Sequence, residues 1–187
     1  MPGFTKKAIA QSFMKLLNER PLDKITVKDI VEDCGVNRNT FYYYYQDIYA
    51  LLEDIFETEA SLVINKHKPY NTWLDGFLES AKFALDNKKA VLHIFNSINR
   101  NQLDRYLNTI VENYMVDFVK RKAEGLDVSD EDIRIVAVFF KHAIVGVTIE
   151  WIQGGMKEDF EVFIVKMANM LEGSVKYILS KTKESRQ

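Results

Sequence analysis

Only 3 prolines and 8 glycines punctuate 187 residues, so tight turns are scarce and long uninterrupted elements are expected. Cys34 is the only cysteine, which excludes an intrachain disulfide and a multi-cysteine zinc site. Charge of one sign is also lacking. The net charge is −2 and the pI about 6.0, and residues 1–50 hold seven basic and six acidic side chains. The chain is not a globally basic polyanion binder, so any grip on nucleic acid has to be local. The first residues, "MPGFTKKAIAQSF", have no long apolar core of the signal-peptide kind. The most apolar run, Ile135 to Ile152, carries Lys141, His142 and Glu150. Charges at mid-membrane are costly, so it reads as a buried helix and no membrane partner is expected. A reduced, cytoplasmic location is the corresponding expectation.

No useful strand alternation and no internal repeat occur. What is present is helical periodicity, and the pattern predicts an all-α chain of about nine helices. Ile9, Phe13, Leu16 and Leu17 recur at helical spacing until Pro21 intervenes. Thr26 with Asp29 forms a capping box, followed by an apolar stripe of Val27, Ile30, Val31 and Cys34. Gly35 is placed to end that helix in a left-handed conformation. Asn37 caps a third short helix and Asp47 a long one. A three-helix unit over residues 1–47 is expected, then a connecting helix over 48–67 and further helices to 187. Asn71 is read as a cap for the helix at Trp73. Ser129 with Asp132 makes a second capping box, and the tail from Ser180 reads as frayed.

Two short helices separated by a glycine turn suggest a helix-turn-helix, whose second helix enters the major groove. That second helix contains four consecutive tyrosines, Tyr42 to Tyr45. Successive residues turn by about 100°, so four adjacent rings cannot share one face. Phe41 and Tyr45 are i and i+4 and point to the core, with Arg38 close to that face. Asn39, Thr40, Tyr42 and Tyr43 point away, and Tyr44 lies at the border. Phenols and hydroxyls can donate to phosphates, and Asn and Arg can bond base edges bidentately. By the wheel alone, an aromatic-rich hairpin inside an all-α core fits as well.

The stretch "ITVKDIVEDCGVNRNTFYYYYQDIYALLEDIF" resembles the DNA-binding segment of TetR-family bacterial transcriptional regulators. Ile25–Thr26, Gly35–Val36–Asn37, Thr40–Phe41–Tyr42–Tyr43–Tyr44–Tyr45 and Asp47 carry the resemblance at the family's spacing. It implies a DNA-binding unit over 1–47 and a ligand-binding and dimerisation domain over 48–187. It further implies phosphate or base contacts from Thr40, Tyr42 and Tyr44, phosphate contacts from Thr26 and Lys28, and sequence reading by Arg38 and Asn39. Two positions depart from the pattern. Asn37 replaces the usual Ser cap, with equivalent chemistry. Ile48 replaces the usual Lys, and Lys6 or Lys7 is the candidate to supply the missing cation. "GVTIEWIQGGM" is similar to a C-terminal subclass that includes regulators of dihydroxyacetone metabolism.

The implied function is a dimeric regulator, a repressor released from a palindromic double-stranded operator by a small-molecule effector. The expected dimer forms through the last two helices, with Ala143 and Gly146 allowing close approach. Aromatic and polar residues on predicted core helices are the candidates to line an effector cavity: Trp73, Phe77, His93, Phe95, Tyr106, Tyr114, Phe118, Phe139 and His142. The alternative is a TetR-like co-activator working through a protein partner. A helical-bundle enzyme is the third reading. Its di-metal form needs Glu three residues before His, and His67, His93 and His142 are preceded there by Ile64, Ala90 and Phe139. No cofactor, metal or catalytic residue is expected.

Overall fold

A computed structural model describes residues 2–66, 73–97, 101–157 and 159–184. Among them are nine α-helices and no strand: α1 Pro2–Glu19, α2 Val27–Cys34, α3 Arg38–Tyr44, α4 Ile48–Lys66, α5 Trp73–Asp86, α6 Lys88–Phe95, α7 Asn101–Ala123, α8 Asp130–Gln153 and α9 Phe160–Glu184. The fold is all-α, as the periodicity predicts. His67 and Asn71 lie outside the described residues. Among the described residues α9 runs past Ser180, where the sequence suggests fraying. α9 continues to Glu184 because Ser180–Glu184 contains no breaker, and Lys181 lies over the Tyr177 ring at 5.8 Å, one turn back.

The chain divides into two compact units. The first comprises residues 1–61 and 84–106, the second 62–83 and 107–187. By contacts, residues 48–61 of α4 and all of α6 group with the first three helices. In that first unit Ile9, Phe13, Leu17, Leu22, Ile30, Phe41, Leu51 and Leu52 are fully buried. α6 is tied to α1 by polar bonds as well. His93 Nδ1–H donates to the Leu17 carbonyl at 2.6 Å, and Asn18 Oδ1 accepts from the Ala90 N–H at 3.3 Å.

In the second unit α8 and α9 pack together, with Trp151 stacked on Phe160 at 4.2 Å and Phe77 beside Phe160 at 5.9 Å. α8 starts at a full capping box: Ser129 Oγ accepts from the Asp132 N–H, and Asp132 accepts from the Ser129 N–H. α8 is long and apolar enough to cross a membrane by length and composition. It buries Val136, Ala137, Phe140, Ile144, Val145, Thr148, Trp151 and Ile152 within its own unit, and half-buried Lys141 is paired with Glu112 at 3.0 Å.

Candidate nucleic-acid interface

α2 is only two turns long and depends on its ends and its packing. Thr26 Oγ1 accepts from the Asp29 N–H, while Asp29 Oδ2 accepts from the Thr26 N–H at 2.8 Å and from its hydroxyl at 2.7 Å. These Thr26 bonds hold the Asp29 carboxyl below its ordinary pKa, and Arg20, 3.2 Å away, adds to the effect. The sign follows: the box contributes above the unfolded carboxylate value near pH 4 and is lost as pH falls through the lowered one. Thr26→Ala removes one side of the box and is expected to destabilise by about 1 kcal/mol, read from a denaturant midpoint at unchanged slope.

Gly35 ends α2 with φ +71°. This left-handed conformation is open to glycine without a Cβ penalty. The chain then turns to Asn37, whose Oδ1 accepts from the Thr40 N–H at 2.8 Å and the Thr40 hydroxyl at 3.0 Å. The cap therefore sets where α3 begins and which residues face outward. Tyr42 is 49% and Tyr43 81% exposed, Arg38 and Asn39 are exposed, and Thr40 and Tyr44 are half-buried. Arg38 lies with the exposed residues rather than beside the core. Thr26 and Lys28 are exposed at the start of α2. Thr26 is engaged with Asp29, and Lys28 reaches Glu32 at 3.7 Å.

The inner side of α3 is anchored by Phe41 and Tyr45, their rings 5.7 Å apart. Tyr45 has left the helix (φ −138°) yet is only 4% exposed. Its hydroxyl donates to Asp54 Oδ2 of α4 at 2.7 Å, while Lys6 of α1 bonds Asp54 Oδ1 at 2.8 Å and lies 5.4 Å from the Tyr45 ring centroid. One carboxylate thus joins α1, the end of α3 and α4. Lys6 is occupied by this cluster, which leaves exposed Lys7 as the cation suggested to offset Ile48. Ile48 is half-buried at the start of α4, where Asp47 Oδ1 accepts from the Tyr49 and Ala50 N–H groups at 2.8 Å.

Burial and then Asp54 push the Tyr45 phenol well above its ordinary value. Burial, with a smaller effect of Glu59, pushes Tyr106 up to about 12. Both phenols contribute fully below the unfolded value near pH 10, and their contribution declines as pH rises toward the raised values. Thermal stability is therefore expected to fall progressively above about pH 10, which melting curves between pH 8 and pH 12 would reveal.

Residues 11–55 match the family described as "Bacterial regulatory proteins, tetR family", and residues 71–173 match "Transcriptional regulator C-terminal region". The chain belongs to the TetR family of regulators. It is therefore a DNA-binding regulator and not an enzyme. Among curated proteins it is similar to the HTH-type dhaKLM operon transcriptional activator DhaS of Lactococcus lactis subsp. lactis (strain IL1403). That similarity is 28% identity over 174 residues, 92% of this chain and 91% of the relative. It is also similar to the uncharacterized HTH-type transcriptional regulator YxbF of Bacillus subtilis (strain 168), at 33% identity over 57 residues, 30% of this chain and 15% of that one. Among solved structures, the Dihydroxyacetone kinase operon activator DhaS superposes with a TM-score of 0.78 at 26% identity, over 92% of this chain and 97% of that chain.

The residues expected to line an effector cavity in this TetR-family chain are divided between the two units. Phe77, Tyr114 and Phe118 are buried in the second unit. His93, Phe95 and Tyr106 belong to the first, where His93 is engaged with Leu17 and Tyr106 stacks on Phe56 at 4.7 Å. Phe139 and His142 are exposed, a correction to the expectation that they sit in the core: α8 is apolar nearly all round, and the face they occupy is not the one that meets α9. The Trp73 side chain lies outside the described residues. The second unit has a cavity of about 430 Å³ lined by Val147, Glu150, Trp151, Gly154, Lys157, Phe160 and Phe163. Among the described residues, none of those expected lines it. Trp151 beside the glycine pair was the available signal. Among the described residues no group of three or more His, Cys, Asp and Glu could hold a metal ion.

Proposed function

We propose that this TetR-family chain is a homodimeric transcription regulator. Each copy presents α2 and α3 to one half of a palindromic double-stranded operator, and a small-molecule effector controls occupancy. The observation that carries the reading is the division of α3 by direction. Phe41 and Tyr45 are buried, while Arg38, Asn39, Tyr42 and Tyr43 stand outward without an acidic residue on the helix. Thr26, Lys28, Thr40 and Tyr44 are assigned to the phosphate backbone around them.

The dimer is assigned to α8 and α9. On α8, exposed Ile135, Phe139, His142 and Gly146 recur at intervals of four, three and four residues. On α9, exposed Phe163, Met170 and Tyr177 recur every seven. These are the spacings of a helical seam, and two copies of the pair would complete a four-helix bundle. A two-fold dimer of reading heads matches a palindromic site. Phe77, Tyr114 and Phe118 are retained as candidates for effector contact. The effector acts by favouring one of two arrangements of the heads, with α4 as the transmitting helix.

Repression by operator occupancy is the direct consequence of such binding. A second reading, transcriptional activation with a protein partner, is supported by the relative matching 92% of the chain, which is named an activator. Transcription in vitro from a promoter carrying the selected site separates the two by the sign of the change. The shared basis is tested by titrating purified protein into duplex DNA at several salt concentrations. Specific binding is expected, with log K falling linearly in log salt. Absence of any specific duplex binding at every salt tested removes the proposal.

A further inference from the structure

The ring of Tyr42 has a task separate from its hydroxyl. Arg38 and Tyr42 are one helical turn apart, and the Arg38 guanidinium carbon lies 6.0 Å from the Tyr42 ring centroid. A guanidinium beside an aromatic face is attracted to it and loses freedom to wander. Tyr42 is itself braced edge-on against Phe41, at 5.6 Å and 87°, and Phe41 is fully buried. The direction of Arg38 is thus referred back through two rings to the hydrophobic core. Of the other cations in this unit, Arg20 is paired with Asp29 and Lys6 with Asp54. Among the described residues no carboxylate forms an ion pair with Arg38, and α3 has no other Lys or Arg.

We propose that Tyr42 is a positioning residue for Arg38, and that the pair reads one guanine in each operator half-site. The inference rests on the operator-binding reading above. A planar guanidinium can donate two parallel bonds to O6 and N7 of guanine in the major groove, a geometry that an ammonium cannot copy. The Tyr42 hydroxyl remains available for a phosphate, so ring and hydroxyl affect binding in different ways: the ring fixes which base is accepted, and the hydroxyl adds affinity for any sequence.

The experiment is selection of a randomised duplex library on the full-length protein. Competition binding then follows, with all four bases at each position of the recovered site, for wild type, Arg38→Lys, Tyr42→Leu and Tyr42→Phe. Wild type is expected to prefer guanine at one position per half-site by roughly 5- to 150-fold, the range of a bidentate pair. Arg38→Lys and Tyr42→Leu should flatten the preference at that position alone. Tyr42→Phe keeps the ring and should keep the preference, while affinity falls by a similar factor for every sequence. Circular dichroism should be unchanged in all three. If Arg38→Lys leaves the base profile intact, or Tyr42→Leu weakens all sequences equally, the inference is overturned although operator binding stands. If no sequence is enriched at all, the operator reading fails with it.

Discussion

Phe139→Glu is expected to break the proposed α8–α9 dimer into monomers and to weaken operator binding by about 10²- to 10⁴-fold, the range lost when two linked contacts become one. Phe139 is 66% exposed within its own chain. Little packing is lost by replacing it there, and substitutions at such positions usually change protomer stability by about 0.5 kcal/mol or less. At the proposed α8–α9 seam the same carboxylate would be desolvated against the second copy, where an unpaired charge is costly. Sedimentation should show the halved mass, with the helical circular dichroism retained. Gly146→Leu is a companion test. A side chain at Gly146 meets nothing within 4 Å in the protomer, and leucine favours helix over glycine by close to 1 kcal/mol. The substitution is thus expected to stabilise the isolated helix yet weaken the dimer. A dimer of wild-type strength in both variants would place the interface elsewhere.

Tyr45→Ala is expected to cost about 3–5 kcal/mol of stability, as for other large buried aromatics. At roughly 2–4 °C per kcal/mol for a chain of this length, the melting temperature should fall by about 6–20 °C. The ring supports Phe41 from the end of α3, and its hydroxyl is one of two donors to Asp54. Its loss leaves a cavity under the reading helix. Tyr45→Phe separates the two contributions. It keeps the ring and removes one bond to a carboxylate, which costs about 1.5–3 kcal/mol; Lys6 continues to partner Asp54. Chemical denaturation at pH 7 should rank wild type, Phe and Ala in that order. Equal stability of the Phe and Ala variants would mean that the bond to Asp54, not the ring, holds α3. The contrast with Tyr42 is sharp: Tyr42→Phe should leave the melting temperature unchanged while operator affinity falls.

Much of the reading head is legible in the sequence. A cap is made by residues three apart, so Thr26 with Asp29, Asn37 with Thr40 and Ser129 with Asp132 could be paired from spacing alone. The helical wheel likewise separated buried Phe41 and Tyr45 from exposed Tyr42 and Tyr43, although it drew Arg38 too close to the core face. Local geometry fixes these relations, because the partners belong to the same turn or the next one.

The cavity residues were not legible for the opposite reason. A helix such as α8, apolar nearly all round, offers several faces, and periodicity does not say which one meets α9. Helical periodicity therefore places Phe139 and His142 with the core, yet they are exposed, while Trp151 and Phe160, stacked on one another, line the cavity.

The amino-acid sequence by itself determined the helices, their caps and the two-sided character of the recognition helix, since all of these arise within one or two turns of chain. Only the tertiary structure decided that Asp54, 48 residues from Lys6 and 9 from Tyr45, would gather both onto one carboxylate. It also decided that α6 would close onto α1 through His93 and Leu17, and which side of α8 would stay bare. Those choices depend on how preformed helices pack, a competition among apolar faces of similar strength that no local pattern can rank.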